Sequence, residues 1–258
     1  MGESIAFDRA AEFYDRTRAM SDESMSRTIE LLASELRDRG RVLEVGCGTG
    51  LLALPLHAAG IDVTGVDLSP PMLGKLTEKA GGTAPFPLVL ADATRLPFTD
   101  GAFGAAYLRW VLHLIPDWRG VLAEVVRAIG PGGAFLVNLG AYGGPRVEVQ
   151  ERFAELTGIP VRPVGLDWAG WDELDAEMRG HGATIRKLPV LVEDVVVSLD
   201  EFIEGIEENR YSWTWRVSED VRLRAAAQIR PWATERFGPV EEAGSFEQAH
   251  VWHAYDLP

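Results

Sequence analysis

Three acidic residues stand at or beside the ends of three successive apolar runs in the first part of the chain. Glu44 lies near the end of the first run, Asp67 directly follows the second, and Asp92 comes two residues after the third. If these runs are neighbouring parallel strands, their carboxyl ends meet at one edge of a sheet. Carboxylates placed there can accept hydrogen bonds from ribose hydroxyls or an exocyclic amine, and can attract a cation. A single acid at a strand end is more often a loop cap, but three in succession favour a ligand site.

A glycine-rich turn of sequence GCGTG, residues 46–50, follows the first apolar run. Glycines there let the backbone bend sharply and let a ligand approach main-chain atoms closely. Read from Gly48, the sequence also fits the dinucleotide pattern G-x-G-x-x-G/A, and Asp67 follows nineteen residues later, where a ribose-binding acid belongs. A nicotinamide-dependent oxidoreductase is therefore one candidate. Glu44 favours instead a ligand with an ammonium or sulfonium charge, because it would repel a pyrophosphate. The simpler alternative is that Glu44 only caps nearby amides.

Apolar runs and helical stretches alternate through the first 140 residues. The apolar runs predict strands at 42–45, 61–66, 87–90, 104–108 and 133–139. Helical periodicity and helix-start signals predict helices at 51–59, 70–80 and 117–129, after two helical stretches within 4–39. This alternation predicts a Rossmann-like, doubly wound α/β fold around a mostly parallel sheet.

The alternation stops after Gly140. Helical patterns occur at 146–157, 168–181, 199–209 and 218–236, with one long or bent strand at 184–197 and a last strand at 245–256. We therefore expect three segments: a ligand-binding core at 1–140, an inserted, mainly helical cap at 141–240, and a final strand at 241–258 that rejoins the core sheet.

The cap is expected to select the substrate. Tyr211 and Trp213 belong to an alternating aromatic stretch and are the candidates for lining a substrate pocket. For either residue alone, a place in a packed core is the simpler interpretation.

Composition excludes several classes of partner. The 258 residues carry 39 acidic and 25 basic side chains, a net charge of −14, which disfavours nucleic acid and anionic membranes. A single cysteine and a charged N-terminal segment without an apolar signal core predict a cytoplasmic protein. His250 and His253 would face opposite sides of a strand, so we expect no metal site. The partner is expected to be a small molecule, and the protein a monomer or a homodimer.

Five segments resemble, in order, the motifs of class I S-adenosylmethionine (SAM) dependent methyltransferases. They are 42–50 (VLEVGCGTG), 66–73 (VDLSPPML), 91–98 (ADATRLPF), 112–117 (LHLIPD) and 129–133 (IGPGG). Residues 13–18 (FYDRTR) are similar to the lid helix of the ubiquinone-biosynthesis-like branch. The resemblance covers about residues 7–140 and implies a seven-stranded sheet, SAM as the methyl donor and S-adenosylhomocysteine (SAH) as the product.

The resemblance also implies a role for individual residues in the SAM site. Backbone at the glycine turn (Gly46, Cys47, Gly48 and Gly50) would approach the methionine portion, with Glu44 near its ammonium group. The adenosine portion would be held by Asp67 at the ribose hydroxyls, Leu68 and Met72 against adenine, Asp92 at its amine, and Ala93. Tyr14 and Arg18 would close over the site, and Arg109 and Trp110 would line it.

His113, just past the fourth strand, is the candidate general base, with a buried structural histidine as the alternative. Methyl transfer from a sulfonium releases a neutral thioether, so proximity can supply much of the rate and the need for a base depends on the acceptor. The expected reaction is transfer to O or N, and less readily to C, of a small molecule. An NAD(P)-dependent oxidoreductase and a non-catalytic SAM-binding protein are the alternatives.

Overall fold

A seven-stranded sheet forms the centre of the larger part of the molecule. In chain order its strands are β1 (Arg41–Val45), β2 (Asp62–Asp67), β3 (Leu88–Leu90), β4 (Ala105–Arg109), β5 (Ala134–Asn138), β6 (Thr184–Lys187) and β9 (His253–Asp256). Their spatial order is β3-β2-β1-β4-β5-β9-β6. Six of these strands run in the same direction, and β9 runs in the opposite direction. The predicted Rossmann-like, mostly parallel, seven-stranded fold is confirmed.

The computed structural model describes residues 4, 6–18, 20–140 and 143–258. These residues form two units. The sheet unit comprises the described residues of Met1–Gly140, Val164–Leu191 and His250–Pro258, and the helical unit those of Ala141–Pro163 and Val192–Ala249. No helix of the described residues is long and apolar enough to cross a membrane.

Helices cover both faces of the sheet. The sheet unit contains α1 (Tyr14–Arg18), α2 (Asp22–Leu36), α3 (Ala53–Ala58), α4 (Pro70–Lys79), α5 (Trp118–Ile129) and α7 (Trp171–Gly180), with short 3-10 helices at Asp8–Ala10 and Leu112–Leu114. The start of α4 follows the predicted signal, because the Ser69 hydroxyl accepts a hydrogen bond from the Met72 amide and Pro70 occupies the first turn. Asp117 caps α5 in the same way through the Gly120 amide.

Successive residues of each central strand enter different hydrophobic clusters. Leu43 and Val45 of β1 belong to one cluster, whereas Val42 belongs to the other. Strands β4 and β5 are buried along their whole length. A parallel sheet covered on both sides buries its strands in this way and leaves only their ends accessible for chemistry.

The helical unit has its own hydrophobic core. It contains α6 (Pro145–Thr157), α8 (Leu199–Glu207), a 3-10 helix at Ser212–Thr214 and α9 (Glu219–Phe237). Two strands, β7 (Leu191–Ser198) and β8 (Ala243–His250), pair with each other in a separate small sheet.

Two predicted strands are each two strands in the structure. The stretch 184–197 divides into β6 of the large sheet and β7 of the small one, and Pro189 between them lacks the amide hydrogen that a continuous ladder requires. The stretch 245–256 likewise divides into β8 and β9.

These divisions change the expected boundaries of the cap. Residues 164–191, predicted within the cap at 141–240, belong to the sheet unit, because they carry α7 and the edge strand β6. Within the predicted final segment 241–258, residues 241–249 belong to the helical unit, and the part that joins the large sheet begins only at His253.

Candidate functional site

The glycine turn connects β1 to α3 at the carboxyl edge of the large sheet. The Gly46 and Cys47 amides donate to the Val66 carbonyl at 2.8 and 3.0 Å, which fixes the turn against the end of β2. Gly46 has a φ of +72°, and a Cβ there would lie 2.5 Å from a methyl group of Val111. Gly50 has a φ of +76° and would meet Leu76 at 2.7 Å. The turn therefore requires glycine both for its backbone and for its close packing.

Asp67 joins the glycine turn to the loop before α4. Its two carboxylate oxygens accept hydrogen bonds from the Gly48 amide at 2.8 Å and the Ser69 amide at 2.9 Å. Burial raises the pKa of Asp67, while these amide donors act in the opposite direction. Each oxygen has a further lone pair, so the carboxylate can still accept hydrogen bonds from two ligand hydroxyls.

Glu44 is a buried carboxyl group beside the same turn. Its side chain accepts a hydrogen bond from the Tyr107 hydroxyl at 2.9 Å, and only 4% of the residue is exposed. Burial raises the pKa of Glu44 to about 8, with a further contribution from the charge of Asp67. A cationic ligand group at this position would favour the ionised carboxylate.

Asp92 follows β3 and partly fulfils a local structural role. One of its oxygens accepts hydrogen bonds from the Thr94 amide at 2.9 Å and the Thr94 hydroxyl at 2.8 Å, as in a loop cap. The Ser4 hydroxyl lies 3.5 Å from the other oxygen. Ala93 packs against the hydrophobic core beside this loop.

The N-terminal segment is bound directly to the glycine turn and to α4. Asp15 of α1 accepts a hydrogen bond from the Thr49 hydroxyl at 2.5 Å and forms an ion pair with Lys79 at 2.8 Å. Asp8 accepts from the Ser69 hydroxyl at 2.6 Å. These contacts hold the predicted lid helix against the carboxyl edge of the sheet.

Tyr14 of this helix lies among the charged groups of the site. Burial raises the pKa of its phenol, while the charges of Arg109 and Arg18 act to lower it and those of Asp67 and Glu44 act to raise it. The structure therefore brings the lid helix together with the acids of β1 and β2.

Trp110 occupies an unusual backbone conformation at the end of β4. Its φ is +60°, which costs a large side chain about 1–3 kcal/mol and persists only where the surroundings impose it. The guanidinium groups of Arg109 and Arg18 lie 4.1 and 5.5 Å from its ring centre. Gly140 makes room for the indole, because a Cβ on Gly140 would lie 1.9 Å from the indole nitrogen.

His113 lies in the 3-10 helix that follows Trp110. Burial, and to a lesser extent the charge of Arg18, lowers its pKa to about 3, so the imidazole is neutral near pH 7. Among the described residues its Nδ1 has no hydrogen-bond partner, and its ring lies 5.9 Å from that of Trp168. A neutral imidazole can accept or donate one hydrogen bond to a bound molecule.

The sequence of the central part of the chain matches a known family. Residues 43–137, which include the glycine turn and all three acids, match the methyltransferase domain family. Residues 43–137 therefore carry a methyltransferase domain, in agreement with the resemblance of the five motifs to class I SAM-dependent methyltransferases.

Curated relatives of the methyltransferase domain have defined reactions. A malonyl-[acyl-carrier protein] O-methyltransferase of Legionella pneumophila is 32% identical over 135 residues, which are 52% of this chain and 48% of the relative. A demethylmenaquinone methyltransferase of Thermus thermophilus is 39% identical over 100 residues, 38% of this chain and 46% of the relative. The chain spans about half the length of these relatives.

A solved structure shares the fold over nearly the whole chain. The YcgJ protein from Bacillus subtilis superposes with a TM-score of 0.60 at 19% identity, and the match covers 92% of this chain and 99% of that one. At this identity the likeness shows the fold alone.

Three side chains at this edge of the sheet fit the functional groups of SAM. A buried carboxyl group, Glu44, suits an ammonium group, and the half-buried Asp67 suits a pair of hydroxyls. Beside them, the buried Met72 offers an apolar surface for a flat ring. Among the described residues, no group of three or more His, Cys, Asp or Glu side chains is arranged to hold a metal ion.

Tyr211 and Trp213, the predicted substrate-pocket residues, lie in the core of the helical unit. Their rings stack in parallel with centres 5.4 Å apart, and Trp213 meets the edge of Phe153 at 5.2 Å. Gly205 leaves space for the Tyr211 ring, since a Cβ there would lie 2.4 Å from the phenol oxygen. Packing within the unit buries both side chains, which agrees with the simpler alternative of a packed core, and their role in a substrate pocket stays a prediction.

Four residues that shape the candidate site carry no clear functional signal in the sequence. Tyr107 lies within a predicted apolar strand, a position that indicates a role in core packing and none in the site. Thr49 and Asp15 are linked across 34 positions, and Gly140 supports a residue on another strand. One signal was available: a tyrosine in a fully buried strand requires a partner for its hydroxyl, and Glu44 was the nearest buried acid.

Proposed function

We propose that this chain transfers the methyl group of SAM to an oxygen or nitrogen atom of a small-molecule acceptor. The observation that carries the proposal is the convergence of Glu44 and Asp67 on one glycine turn within the matched methyltransferase domain. The sulfonium of SAM supplies an electrophilic methyl group with a neutral leaving group, so the protein has mainly to bind, orient and exclude water.

Glu44 and Asp67 would bind two different parts of SAM. Glu44 would receive the ammonium group of the methionine portion, and the backbone of Gly46, Cys47, Gly48 and Gly50 would lie against that portion. Asp67 would accept hydrogen bonds from the two ribose hydroxyls with the lone pairs that Gly48 and Ser69 leave available.

The adenine ring would lie between the start of α4 and the loop after β3. Met72 and Leu68 would contact its face, and the Asp92 oxygen that Thr94 does not use would accept from the exocyclic amine. Ala93 would approach the same edge of the ring.

The lid helix and the end of β4 would close the remaining side. Tyr14, Arg18, Arg109 and Trp110 form a cluster in which two guanidinium groups lie over one indole. Arg18 would attract the carboxylate of the methionine portion, because the rest of this cluster is uncharged or cationic.

His113 would face the acceptor. With a pKa of about 3 its imidazole is neutral and a weak base, so it would first orient an acceptor hydroxyl or amine through Nδ1. It would take the proton only as the acceptor is methylated and becomes more acidic.

The charge balance favours a small-molecule acceptor. A chain with net charge −14 repels nucleic acid, and the named relatives act on an acyl-carrier-protein-bound malonyl group and on demethylmenaquinone.

Two alternatives predict different ligands. An NAD(P)-dependent oxidoreductase would have to place a pyrophosphate beside Glu44, which supplies no positive charge to that group in its acid form and repels it when ionised. A non-catalytic protein would bind SAM and transfer nothing.

The proposal is tested by incubating the protein with SAM and a panel of small carboxylates, phenols, catechols and amines, and measuring SAH release. Acceptor-dependent SAH formation that His113→Ala reduces, without a change in SAH affinity, supports the proposal. SAH binding without turnover on any acceptor favours the non-catalytic alternative, and NADPH binding without SAH binding favours the oxidoreductase.

A further inference from the structure

Glu44 and Tyr107 face each other across two neighbouring strands. Glu44 of β1 and Tyr107 of β4 are partners in the register of the sheet, and the phenol donates to the carboxyl at 2.9 Å. Tyr107 is completely buried, and its neighbours along β4 are Ala105, Ala106 and Leu108. A phenylalanine would fill the same space, so the hydroxyl is explained by its bond to Glu44 and not by packing.

Groups on β2, β4 and α3 act on the carboxyl group of Glu44. Burial and the charge of Asp67 on β2 favour the acid form of Glu44. The Tyr107 hydroxyl, Arg109 at the end of β4 and the Ala53 amide of α3 favour the carboxylate. Their balance leaves the acid form dominant near pH 7, since the pKa of Glu44 is about 8.

The remaining neighbours of the pair carry no charge near neutral pH. Burial raises the pKa of the Cys47 thiol in the glycine turn and the pKa of the Tyr14 phenol on α1. Asp67 and Arg109 are therefore the charged side chains among the described groups that act on Glu44, and their charges have opposite sign.

We propose that Glu44 binds the ammonium group of SAM in exchange for a proton, and that Tyr107 is the positioning residue that stabilises the carboxylate formed. On binding, the carboxyl O–H bond breaks and the proton passes to the buffer. The resulting carboxylate accepts hydrogen bonds from the Tyr107 hydroxyl and the ligand ammonium group. This inference rests on the proposed function and adds to it a coupling between donor binding and pH.

The coupling has a definite sign. At a pH below the Glu44 pKa of about 8, the carboxyl group of the free protein must lose a proton before the ion pair forms. The affinity for SAH therefore falls by up to tenfold for each unit decrease in pH. Between pH 6 and 7.5, SAH affinity should therefore rise steadily. 5′-Methylthioadenosine, which has the nucleoside but no ammonium group, should bind with the same affinity throughout this range.

The experiment is calorimetry of SAH and 5′-methylthioadenosine at pH 6.5 in phosphate and in Tris, whose ionisation enthalpies differ. The native protein should release close to one proton on binding SAH and none on binding the nucleoside. Glu44→Gln should abolish the proton release and flatten the pH profile.

Tyr107→Phe keeps the carboxyl group and removes its donor. SAH affinity should fall about three- to tenfold, the range expected for one hydrogen bond, and the rise of affinity with pH should extend to higher pH. Tyr255→Phe is the matched control, because Tyr255 is also a buried strand tyrosine that donates to a carboxylate, Asp175. It should leave SAH affinity and proton release unchanged, and thermal unfolding checks that each variant is folded.

The possible results separate this inference from the proposed function. SAH binding without proton release, or with a flat pH profile, would overturn the coupling while leaving the SAM site intact. A Tyr107→Phe protein that binds SAH like the native protein at every pH would overturn the role of Tyr107. Failure to bind either SAH or 5′-methylthioadenosine would overturn the proposed function, and the inference with it.

Discussion

Asp15 accepts a hydrogen bond of 2.5 Å from the hydroxyl of Thr49, and this bond joins the N-terminal helix to the glycine turn. Thr49 is almost completely buried, and the second oxygen of Asp15 pairs with Lys79 of α4. One carboxylate thus connects α1 both to the glycine turn and to α4, which are parts of the candidate site. The position of the lid helix should depend on it.

Replacement of Asp15 by Ala should loosen the lid without unfolding the sheet. Because Asp15 is partly exposed, the loss should amount to about 1 kcal/mol. Hydrogen exchange should become faster in residues 6–18 and stay unchanged in β1 and β4. Glu12→Gln is the control, since Glu12 forms an exposed ion pair with Lys75 and should leave the exchange of the lid as it is. Equal exchange in both variants would contradict the role of the Asp15–Thr49 bond.

Gly140→Ala should displace Trp110 and weaken SAH binding. The substitution adds a Cβ that would meet the indole at 1.9 Å, and it also strains a backbone with a φ of +73°. Gly60→Ala separates the two effects, because Gly60 has a φ of +88° and nothing within 4 Å of the added carbon. Both variants should lose roughly 1–2 kcal/mol of unfolding free energy from backbone strain, measured by urea denaturation. Only Gly140→Ala should also lower SAH affinity, and the account of Trp110 fails if Gly60→Ala lowers it equally.

A buried cluster on β9 should stabilise the sheet unit. Asp175 of α7 accepts a hydrogen bond from Tyr255 at 2.8 Å and pairs with Nδ1 of His253 at 3.0 Å, and all three residues are buried. Asp175→Ala leaves two buried polar groups without their partner and should cost about 3 kcal/mol of unfolding free energy. Asp172→Ala, an exposed position in the first turn of the same helix, should change it by less than about 0.5 kcal/mol. A loss below about 1 kcal/mol for Asp175→Ala would contradict the inferred role of the cluster.

His113 should make the stability of the protein depend on pH. The unfolded chain binds a proton at a histidine below about pH 6.5, whereas the folded state binds none at His113 until its pKa of about 3. The unfolding free energy should therefore decrease as the pH falls from 6.5, by about 2 kcal/mol at pH 5 from this residue alone. His113→Gln should remove that decrease, so the stability difference between variant and native protein should change between pH 7 and pH 5. A constant difference across this range would show that His113 titrates normally.

Much of the fold, and the position of the candidate cofactor-site residues at one edge of the sheet, could be predicted because the signals were local. Strands β1 and β2 are short apolar runs, and the acids at or next to their last positions, Asp67 and Glu44, have a chemistry that can be interpreted from their position alone. The Ser69-Pro70 signal for the start of α4 depends only on adjacent residues. These features require no knowledge of distant packing.

The features that the sequence did not reveal depend on interactions between distant residues. The apolar character of 184–197 continues across Pro189, so periodicity could not show that β6 and β7 join different sheets. The alternation of Tyr211 and Trp213 suits a pocket wall and a core equally well, and the surrounding side chains decide which forms. The partnership of Tyr107 with Glu44 depends on the register of two strands separated by β2 and β3 in the chain.

Calorimetry of SAH with Asp67→Asn measures whether the glycine turn and its acids form a SAM site. Asp62→Asn serves as the control, because Asp62 lies exposed at the opposite end of the same strand. The native protein and Asp62→Asn should bind one SAH per chain with equal affinity. Asp67→Asn should bind at least tenfold more weakly, since it loses a charged acceptor for two hydroxyls. Equal affinity of all three proteins, or binding of NADPH in place of SAH, would contradict the account.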